Sequence, residues 1–501
     1  MTHGNDSAVA AGPGAGTASR AWGGPTAAAS WRVGLVALAD FLFWGHRAGL
    51  SLALFGLALG AGSLALARPA AGRRRGLAAA VLLLAIAPVV EQLQLLSILF
   101  LLLGLLAAAV MPGLGPGRPA AAYLRAAGRL CAQLPMVPVA DLYRLLRRAA
   151  PRQSGWLRRA IARLALPLGL GAVFGGLVLI ANPVVDGWLA DLVAALPRTE
   201  IQPMRAVFWA AIACAAWPIL TVWSRRDGLE RPGRPARPAP TPNADGPLFN
   251  AGSVAATLVL VNLILGLQNA TDLTYLWGGV GLPAGLSYAE YAHRGAYPLV
   301  VTALLAGAFA LAARRFTVHR PGLRALLFLW LGQNLLLMLS SLLRLDLYVD
   351  AYGLTRLRLA AAIWMGLVFV GLCLTAWQIA RHRPNGWLLQ ANAVLLAAVL
   401  YACCFVNGSN LIASVSLDRA AAGAVLDMRY LCRLGPDAAP ALTGAVWAEK
   451  HARCRDALGE AAARREAAWR EWGFRSWRIA RYLHAAETGA GPDDHDDPDR
   501  R

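Results

Sequence analysis

The sequence has few charged residues for its length. Asp, Glu, Lys and Arg make up 15% of its 501 residues, whereas 57% are hydrophobic and the mean hydropathy is +0.48. Ordinary soluble proteins carry about 25% charged residues, so this composition excludes a soluble protein of the usual kind. It predicts a protein that resides in a lipid bilayer.

The familiar signatures of catalysis and cofactor binding are missing as well. The sequence contains no Walker loop, no Gly-x-Ser-x-Gly elbow, no His-Glu-x-x-His and no kinase-like set of motifs. Its seven cysteines show no paired Cys-x-x-Cys spacing that would hold a metal ion. We therefore predict no cofactor and no metal site, and an enzyme is less favoured than a protein that binds or transports.

Long apolar runs are abundant. Crossing a hydrocarbon core takes roughly 20 helical residues, and runs of about this length lie at 49–67, 77–90, 93–111, 164–182, 204–223, 250–268, 296–313, 324–342, 359–380 and 386–406. They must be helical, because hydrocarbon offers no partner for backbone N–H and C=O groups. We predict an all-α, polytopic helical membrane protein with about ten spans, or about eleven if residues 33–44, interrupted by Asp40, also cross.

The distribution of charge predicts the orientation of these spans. The formal net charge is +20, but the arginines follow alternate spans and do not form one basic domain, so nucleic-acid binding is not expected. Basic loops such as 73–75 and 225–226 are placed in the cytoplasm by the positive-inside rule. The segment after residue 406 is then extracytoplasmic.

The composition divides the chain into six segments. These are a disordered tail at 1–30 without a cleavable secretory signal, an N-terminal membrane half at 31–224 with a basic cytoplasmic segment at 118–163, a Pro/Arg-rich cytoplasmic linker at 225–249, a C-terminal membrane half at 250–406, extracytoplasmic amphipathic helices at 407–485, and an acidic disordered tail at 486–501. The basic segment could bind anionic lipid or form solvated loop helices.

The segment GLSYAEYAHRGAYPL, residues 285–299, carries the most informative polar residues. Glu290, His293 and Arg294 share one flank of a predicted helix, beside Tyr288 and Tyr291. They lie at the mouth of a predicted span, where ionisable residues are candidates for function. A binding or proton-handling site, a Glu290–Arg294 ion pair that only caps the helix, and a partial metal site all fit this pattern.

Other polar residues are predicted to lie at the same membrane face. They are Glu91, Asp272, Arg344, Asp346 and Asp350. Buried polar groups need partners, so we predict that these residues converge on an outward-facing, water-accessible cavity. The alternative is that they are ordinary polar helix ends at an aqueous boundary.

The C-terminal segment carries two features of its own. Cys432 and Cys454 are predicted to be outside the cytoplasm, where a disulfide can persist, so they either form a bridge or remain free thiols. The run WREWGFRSWRIARYL, residues 469–483, alternates Trp with Arg. These helices could rest on the membrane surface or pack within a small helical domain.

Several stretches resemble a family of bacterial integral membrane proteins classed only as a domain of unknown function. They include ADFLFWGHRAGLSLALF at 39–55, the segment at 266–309 that contains AEYAHRGAYPL, LYVDAYGLTRLRL at 347–359 and LDMRYLCRLGPDAAPAL at 426–442. The chain departs from the family at Ser414-Val415-Ser416, where an Arg-Tyr-Asn-like triplet is usual. The resemblance implies a bacterial cytoplasmic (inner) membrane location and no established activity.

Two functional hypotheses follow from these patterns. The first is a protein that binds or translocates a small solute or ion through a polar outward-facing pocket. The second is a membrane-anchored sensor or assembly scaffold, in which the C-terminal helices contact a protein partner. A membrane-embedded enzyme is third, because a Glu and a His could serve acid–base chemistry but no nucleophile or metal set accompanies them.

Overall fold

A computed structural model describes residues 25–66, 72–114, 120–133, 203–221, 251–278, 320–423, 425–442 and 468–488, with seven further residues between 305 and 316. All regular secondary structure in this part of the chain is helical. The predicted all-α class is therefore confirmed.

Fourteen α-helices are defined among the described residues. They are α1 Pro25–Phe43, α2 Leu50–Leu66, α3 Gly72–Glu91, α4 Leu95–Val110, α5 Ala120–Gln133, α6 Pro203–Thr221, α7 Ala251–Asp272, α8 Pro321–Tyr352, α9 Arg356–Ala380, α10 Asn385–Phe405, α11 Gly408–Ala421, α12 Met428–Arg433, α13 Ala439–Leu442 and α14 Phe474–Thr488. A π-helical turn, Leu273–Trp277, extends α7.

Four of these helices are long and apolar enough to cross a membrane. They are Ala251–Trp277, Pro321–Tyr352, Arg356–Ala380 and Asn385–Phe405, and they coincide with four of the predicted spans. Helices α2, α4 and α6 contain shorter apolar segments. The predicted count of about ten spans is not confirmed, since 164–182 and most of 296–313 lie outside the described residues.

The chain divides into two compact units. The first comprises Met1–Trp44, Phe55–Leu83 and Gly104–Leu229, and the second comprises Gly45–Leu54, Leu84–Leu103 and Glu230–Arg501. The boundary at residue 229 falls in the predicted linker at 225–249. Nevertheless the second unit also takes two short segments from the N-terminal half, and one of them contains Glu91.

In the first unit, α1 packs against α6 around a polar contact. Arg205 of α6 donates from Nε to Oδ1 of Asp40 at 2.7 Å, and its Nη2 bonds the other carboxylate oxygen. The indole Nε1 of Trp209 donates to the same carboxylate at 2.8 Å. Asp40, which interrupts the apolar stretch 33–44, is therefore satisfied by a neighbouring helix.

In the second unit, α7 and α8 run in the same direction. The Asn262 amide donates to the carbonyl of Leu326 at 3.1 Å, and the Asn269 amide to that of Gln333 at 3.1 Å. The partner numbers rise together along both helices, so the helices are parallel. Because the helices are parallel, the chain between them must lead from the end of α7 back to the end of the helix group at which α8 starts.

Two short connections turn the chain between α8, α9 and α10. Gly353 follows α8 with φ of 80°, a left-handed conformation that glycine adopts without strain, and Thr355 caps α9 by accepting from the Arg358 N–H at 3.3 Å. Residues 381–384 connect α9 to α10. The start of α9 and the end of α10 therefore lie at the same end of this helix group.

That same end is continued by the short helices α11, α12 and α13. Their apolar side chains form a small core that includes Ile412, Ala413, Leu431, Leu434 and Leu442. Asn407 and Asp427 cap α11 and α12 with their side chains. This small helical region occupies part of the segment 407–485 that the sequence predicts to be amphipathic.

Candidate functional site

Half of the predicted polar residues lie outside the described part of the chain. Tyr288, Glu290, Tyr291, His293 and Arg294 all belong to residues 279–300. The prediction for this segment therefore stays a prediction. The other five residues are described, and the structure distributes them between different contacts.

Asp272 and Arg344 form a buried ion pair between α7 and α8. Asp272 is 0% and Arg344 2% exposed, and Gln268 donates its amide to Asp272 Oδ1 at 3.0 Å. One turn beyond Asp272, the Trp277 indole donates to Ser340 Oγ at 3.1 Å. Each charge neutralises the other, as charges buried in protein require, so this pair joins two helices of the predicted spans.

Asp350 and Asp346 have more exposed positions on α8. Asp350 lies 3.8 Å from Arg419 of α11, whose guanidinium also bonds the backbone carbonyls of Val349 and Asp350. Asp346 is exposed. Asp350 therefore helps to fix α11 on the end of α8.

Glu91 contacts two arginines of the C-terminal helix α14. Arg475 Nε donates to Glu91 Oε1 at 3.1 Å, and Arg478 Nη2 donates to the same oxygen at 3.2 Å. Glu91 is the last residue of α3, where a negative charge opposes the helix dipole. The two guanidinium groups compensate this unfavourable position.

Arg475 is the centre of the contact. Although the side chain is charged, the residue is only 3% exposed, and each of its three guanidinium nitrogens donates to an acceptor. Besides Glu91, it donates to Gln92 Oε1 at 2.6 Å and to the Cys404 carbonyl at 2.8 Å. The carbonyl belongs to the last turn of α10, where backbone acceptors lack helical partners. One side chain thus joins α14 to the ends of α3 and α10.

Asp437 extends this network to the small helical region. Gln92 Nε2 donates to Asp437 Oδ2 at 2.7 Å, and the Asn407 amide donates to the Asp437 carbonyl at 2.8 Å. We call Glu91, Gln92, Asp437, Arg475 and Arg478 the Arg475 cluster. Its five members come from three different parts of the sequence, and all five residues belong to the second unit.

The segment before α14 is also held in place. The Leu50 N–H donates to the Trp472 carbonyl at 2.8 Å, and the Arg47 N–H donates to Glu471 Oε1 at 3.0 Å. A Cβ added at Gly49 would overlap the backbone of Glu471, so glycine is required for this close approach. These contacts position Arg475 independently of its own hydrogen bonds.

Two cavities adjoin the Arg475 cluster. The outer pocket, of about 730 Å³, lies at the start of α9 and the end of α10. Its polar wall consists of Gln92, Gln94, Arg356, Asn407, Ser409, Asp437 and Arg475. A smaller side cavity of about 440 Å³ is lined by Arg47, Glu471, Trp472, Trp477 and Arg481 among others. Asp272 and Arg344 line neither cavity.

Arg356 provides the accessible positive charge of the outer pocket. Its Nη2 donates to the Leu434 carbonyl at 2.7 Å and to Ser409 Oγ at 3.0 Å, which orients the side chain across the pocket. The residue is nevertheless exposed. The pocket therefore combines one accessible guanidinium with amide, hydroxyl and carboxylate groups, which can bind a polar or anionic group.

The chain was also compared with known proteins. A family model described as a domain of unknown function, DUF4153, matches residues 78–445. The chain belongs to this family. No curated protein and no solved structure matches it. Within the Arg475 cluster, the DUF4153 match includes Glu91, Gln92 and Asp437, whereas Arg475 and Arg478 follow it. The match confirms the expectation of a family classed as a domain of unknown function.

The sequence patterns of this DUF4153 protein do not identify three members of the Arg475 cluster, namely Asp437, Arg475 and Arg478. The arginines of the run 469–483 suggest a membrane surface or a small domain, and nothing local pairs Arg475 with Glu91, 384 residues away. The spacing of Arg475 and Arg478 by three places them on one helix flank. That spacing is the only signal that could have indicated a shared partner.

The described part of this DUF4153 chain holds no group of three His, Cys, Asp or Glu side chains that could bind a metal ion. Cys432 is disulfide-bonded, and Cys131, Cys214, Cys373, Cys403 and Cys404 are free thiols. Cys454 lies outside the described residues. The predicted pairing of Cys432 with Cys454 therefore remains a proposal.

Proposed function

We propose that this DUF4153 protein is a multi-pass protein of a bacterial cytoplasmic membrane that binds a small solute in the outer pocket, which faces outward. The observation that carries the proposal is the pocket of about 730 Å³ with a buried Arg475 in its polar wall, each of whose guanidinium nitrogens donates a hydrogen bond. Its volume lies within the usual range for ligand sites, about 300 to 1,000 Å³. A buried arginine with this many acceptors gives the pocket a rigid polar wall.

Two features support an outward orientation of the pocket. The opposite end of the helix group carries Arg320, Arg324, Arg381 and Arg383, which the positive-inside rule assigns to the cytoplasm. The pocket end carries the disulfide-bonded Cys432, and disulfides persist in oxidising compartments. The parallel course of α7 and α8 also supports a return span at the predicted residues 296–313.

A sensor or scaffold is the second candidate, and one observation favours it. The outer face of α14 exposes Phe474, Trp477 and Tyr482, with Arg478 and Arg481 above two of these rings. Exposed aromatic and arginine side chains are typical of binding surfaces. Deleting residues 411–501 could not distinguish a solute-binding protein from a scaffold, because the deletion would remove both the C-terminal helices and two residues of the pocket wall, Asp437 and Arg475.

Point variants separate them more sharply. A deletion strain is complemented with Arg356→Gln, with Tyr482→Ser or with the control Arg429→Gln, which removes an exposed arginine of α12 outside the pocket. We expect Arg356→Gln to lose complementation at normal expression, because the pocket loses its accessible charge, while the other two retain it. Loss with Tyr482→Ser and full activity of Arg356→Gln would overturn the pocket and favour the scaffold.

A further inference from the structure

The outer pocket does not end at its polar wall. Below Arg356 and Asn407 it is lined by apolar side chains of α9 and α10, including Leu359, Ile363, Leu367, Leu396 and Leu400. A further cavity of about 400 Å³, the inner cavity, lies deeper between the same helices. The two cavities share Trp364, Leu367 and Leu396 in their walls and are therefore adjacent. We call the two together the groove.

The inner cavity is mainly apolar. Its lining comprises Gly307, Ala308, Trp364, Leu367, Val368, Gly371, Leu372, Thr375, Leu388, Asn392, Leu395 and Leu396. From Arg356 to Thr375, α9 rises about 28 Å at about 1.5 Å per residue, close to the thickness of a hydrocarbon core of about 30 Å. The groove therefore extends from the polar membrane boundary through most of the apolar layer.

The groove is lined by α10, which is the least buried of the four long apolar helices. Only Leu388 and Cys404 of α10 are buried. Trp364 and Leu396 line the groove and are still 48% and 41% exposed. In a bilayer, apolar surface on a candidate span faces lipid chains, so a chain can enter this groove from the side.

The charge at the polar end favours an anionic group. The pocket and its immediate surroundings contain three guanidinium groups and two carboxylates. The guanidinium groups belong to Arg356, Arg475 and Arg478, and the carboxylates belong to Glu91 and Asp437. Glu91 is already bound by two of the arginines, and Asp437 accepts from Gln92. Among these five described side chains the balance leaves one positive charge. Of the two arginines that line the pocket, Arg475 is buried and Arg356 is exposed.

We propose that this groove binds a lipid of the surrounding bilayer that carries an anionic headgroup. The headgroup lies against Arg356, Asn407 and Ser409, and one chain follows Leu367 and Leu396 towards the inner cavity. The inference rests on the proposed function in that the outer pocket is a binding site, and it names a bilayer lipid as the occupant in place of a water-soluble solute. A water-soluble solute would leave the apolar length of the groove unused, whereas a lipid matches both its polar end and its depth.

Photo-cross-linking tests this assignment on the full chain. The protein is reconstituted in nanodiscs of phosphatidylcholine and phosphatidylglycerol with a trace of phosphatidylglycerol that carries a diazirine at the chain end. We expect cross-links on the lining residues of α9 and α10. Leu396→Trp should lower them by about tenfold, because the indole ring occupies the space of the chain.

Leu389→Trp is the matched control, since Leu389 lies on α10, is 73% exposed and does not line the groove. It should leave the cross-links unchanged. A second arm compares the phosphatidylglycerol probe with a phosphatidylcholine probe that carries the same diazirine. The wild type should be cross-linked more by the phosphatidylglycerol probe, and Arg356→Gln should remove this preference. Thermal unfolding of each variant in nanodiscs verifies that it remains folded.

Cross-links spread over the outer faces of the spans and insensitive to Leu396→Trp would overturn the lipid site. If Arg356→Gln still abolished complementation in that case, the pocket would keep its function with a water-soluble ligand. Specific cross-linking together with full complementation by Arg356→Gln would support the lipid site and overturn the proposed function. The two failures are therefore distinguishable.

Discussion

Asp40 shows how one side chain is adjusted by its neighbours. The hydrogen bond from Arg205 has the largest effect on this carboxyl, followed by that from the Trp209 indole, and together they lower its pKa from 3.8 to about 2. Hydrogen bonds to the charged form favour that form. Asp40 thus remains a carboxylate in an apolar stretch because α6 supplies its donors.

This pKa predicts a dependence of stability on pH. Because the folded pKa lies below the ordinary value, the contact stabilises the protein above about pH 4 and loses its contribution as the pH falls towards about 2. The difference in melting temperature between wild type and Asp40→Asn should therefore shrink over this range. In the Arg205→Gln background this difference should depend less on pH, because only the Trp209 donor remains. A difference that stays undiminished down to about pH 2 would contradict the prediction.

The pairing of α7 with α8 depends on polar contacts as much as on apolar ones. Leu258, Leu265, Leu327 and Leu331 belong to their common core, but apolar side chains gain little from each other when lipid is the alternative. The asparagine amides and the Asp272–Arg344 pair supply direction and register. A sequence pattern predicts both helices, but it does not predict that they are neighbours.

Breaking the ion pair on one side should destabilise these helices strongly. Asp272→Leu removes the carboxylate that balances the buried charge of Arg344, and the expected cost is about 3 to 5 kcal/mol. The double variant Asp272→Leu/Arg344→Met should recover most of this loss, because neither charge of the pair is then buried. Unfolding of the purified protein by denaturant measures both.

Asp346→Ala serves as the control for this experiment. Asp346 is exposed on the same helix, and surface substitutions usually change stability by less than about 0.5 kcal/mol. Equal losses in Asp346→Ala and Asp272→Leu would show that the burial of the pair has no special weight. A double variant as unstable as the single one would indicate that the geometry of the pair matters beyond its charge.

Within the second unit, the course of α7 to α10 determines which helix ends lie together. Parallel α7 and α8, followed by the short connections to α9 and α10, place Arg320, Arg324, Arg381 and Arg383 at one end and the Arg475 cluster at the other. Cys432 lies in the small helical region at that other end. The disulfide therefore reports on the compartment that the C-terminal region occupies.

Counting free thiols tests this arrangement. We propose that Cys454 is the partner of Cys432, because the other five of the seven cysteines are free. Alkylation of the denatured full chain without reductant should modify five cysteines, and all seven after reduction. Cys432→Ser should free Cys454 and leave six thiols, all modified without reductant; seven free thiols in wild type would refute the bridge.

The apolar runs alone were enough to predict the helical membrane class and the positions of the four long apolar helices. The physical reason is local, since a chain in hydrocarbon must satisfy its backbone hydrogen bonds within each helix. Glu91 and Asp272 could be singled out as polar residues in apolar surroundings for the same reason. Their partners could not be predicted, because the sequence pattern contains no distance between Glu91 and Arg475.

Folding in three dimensions brings these partners together. Buried charges require acceptors and donors from wherever the chain supplies them, and here they come from the ends of α3 and α10 and from α14. The Arg475 cluster and the groove between α9 and α10 depend on such long-range packing. The residue types and the spans are thus legible in the amino-acid order, whereas the pocket exists only because distant segments meet.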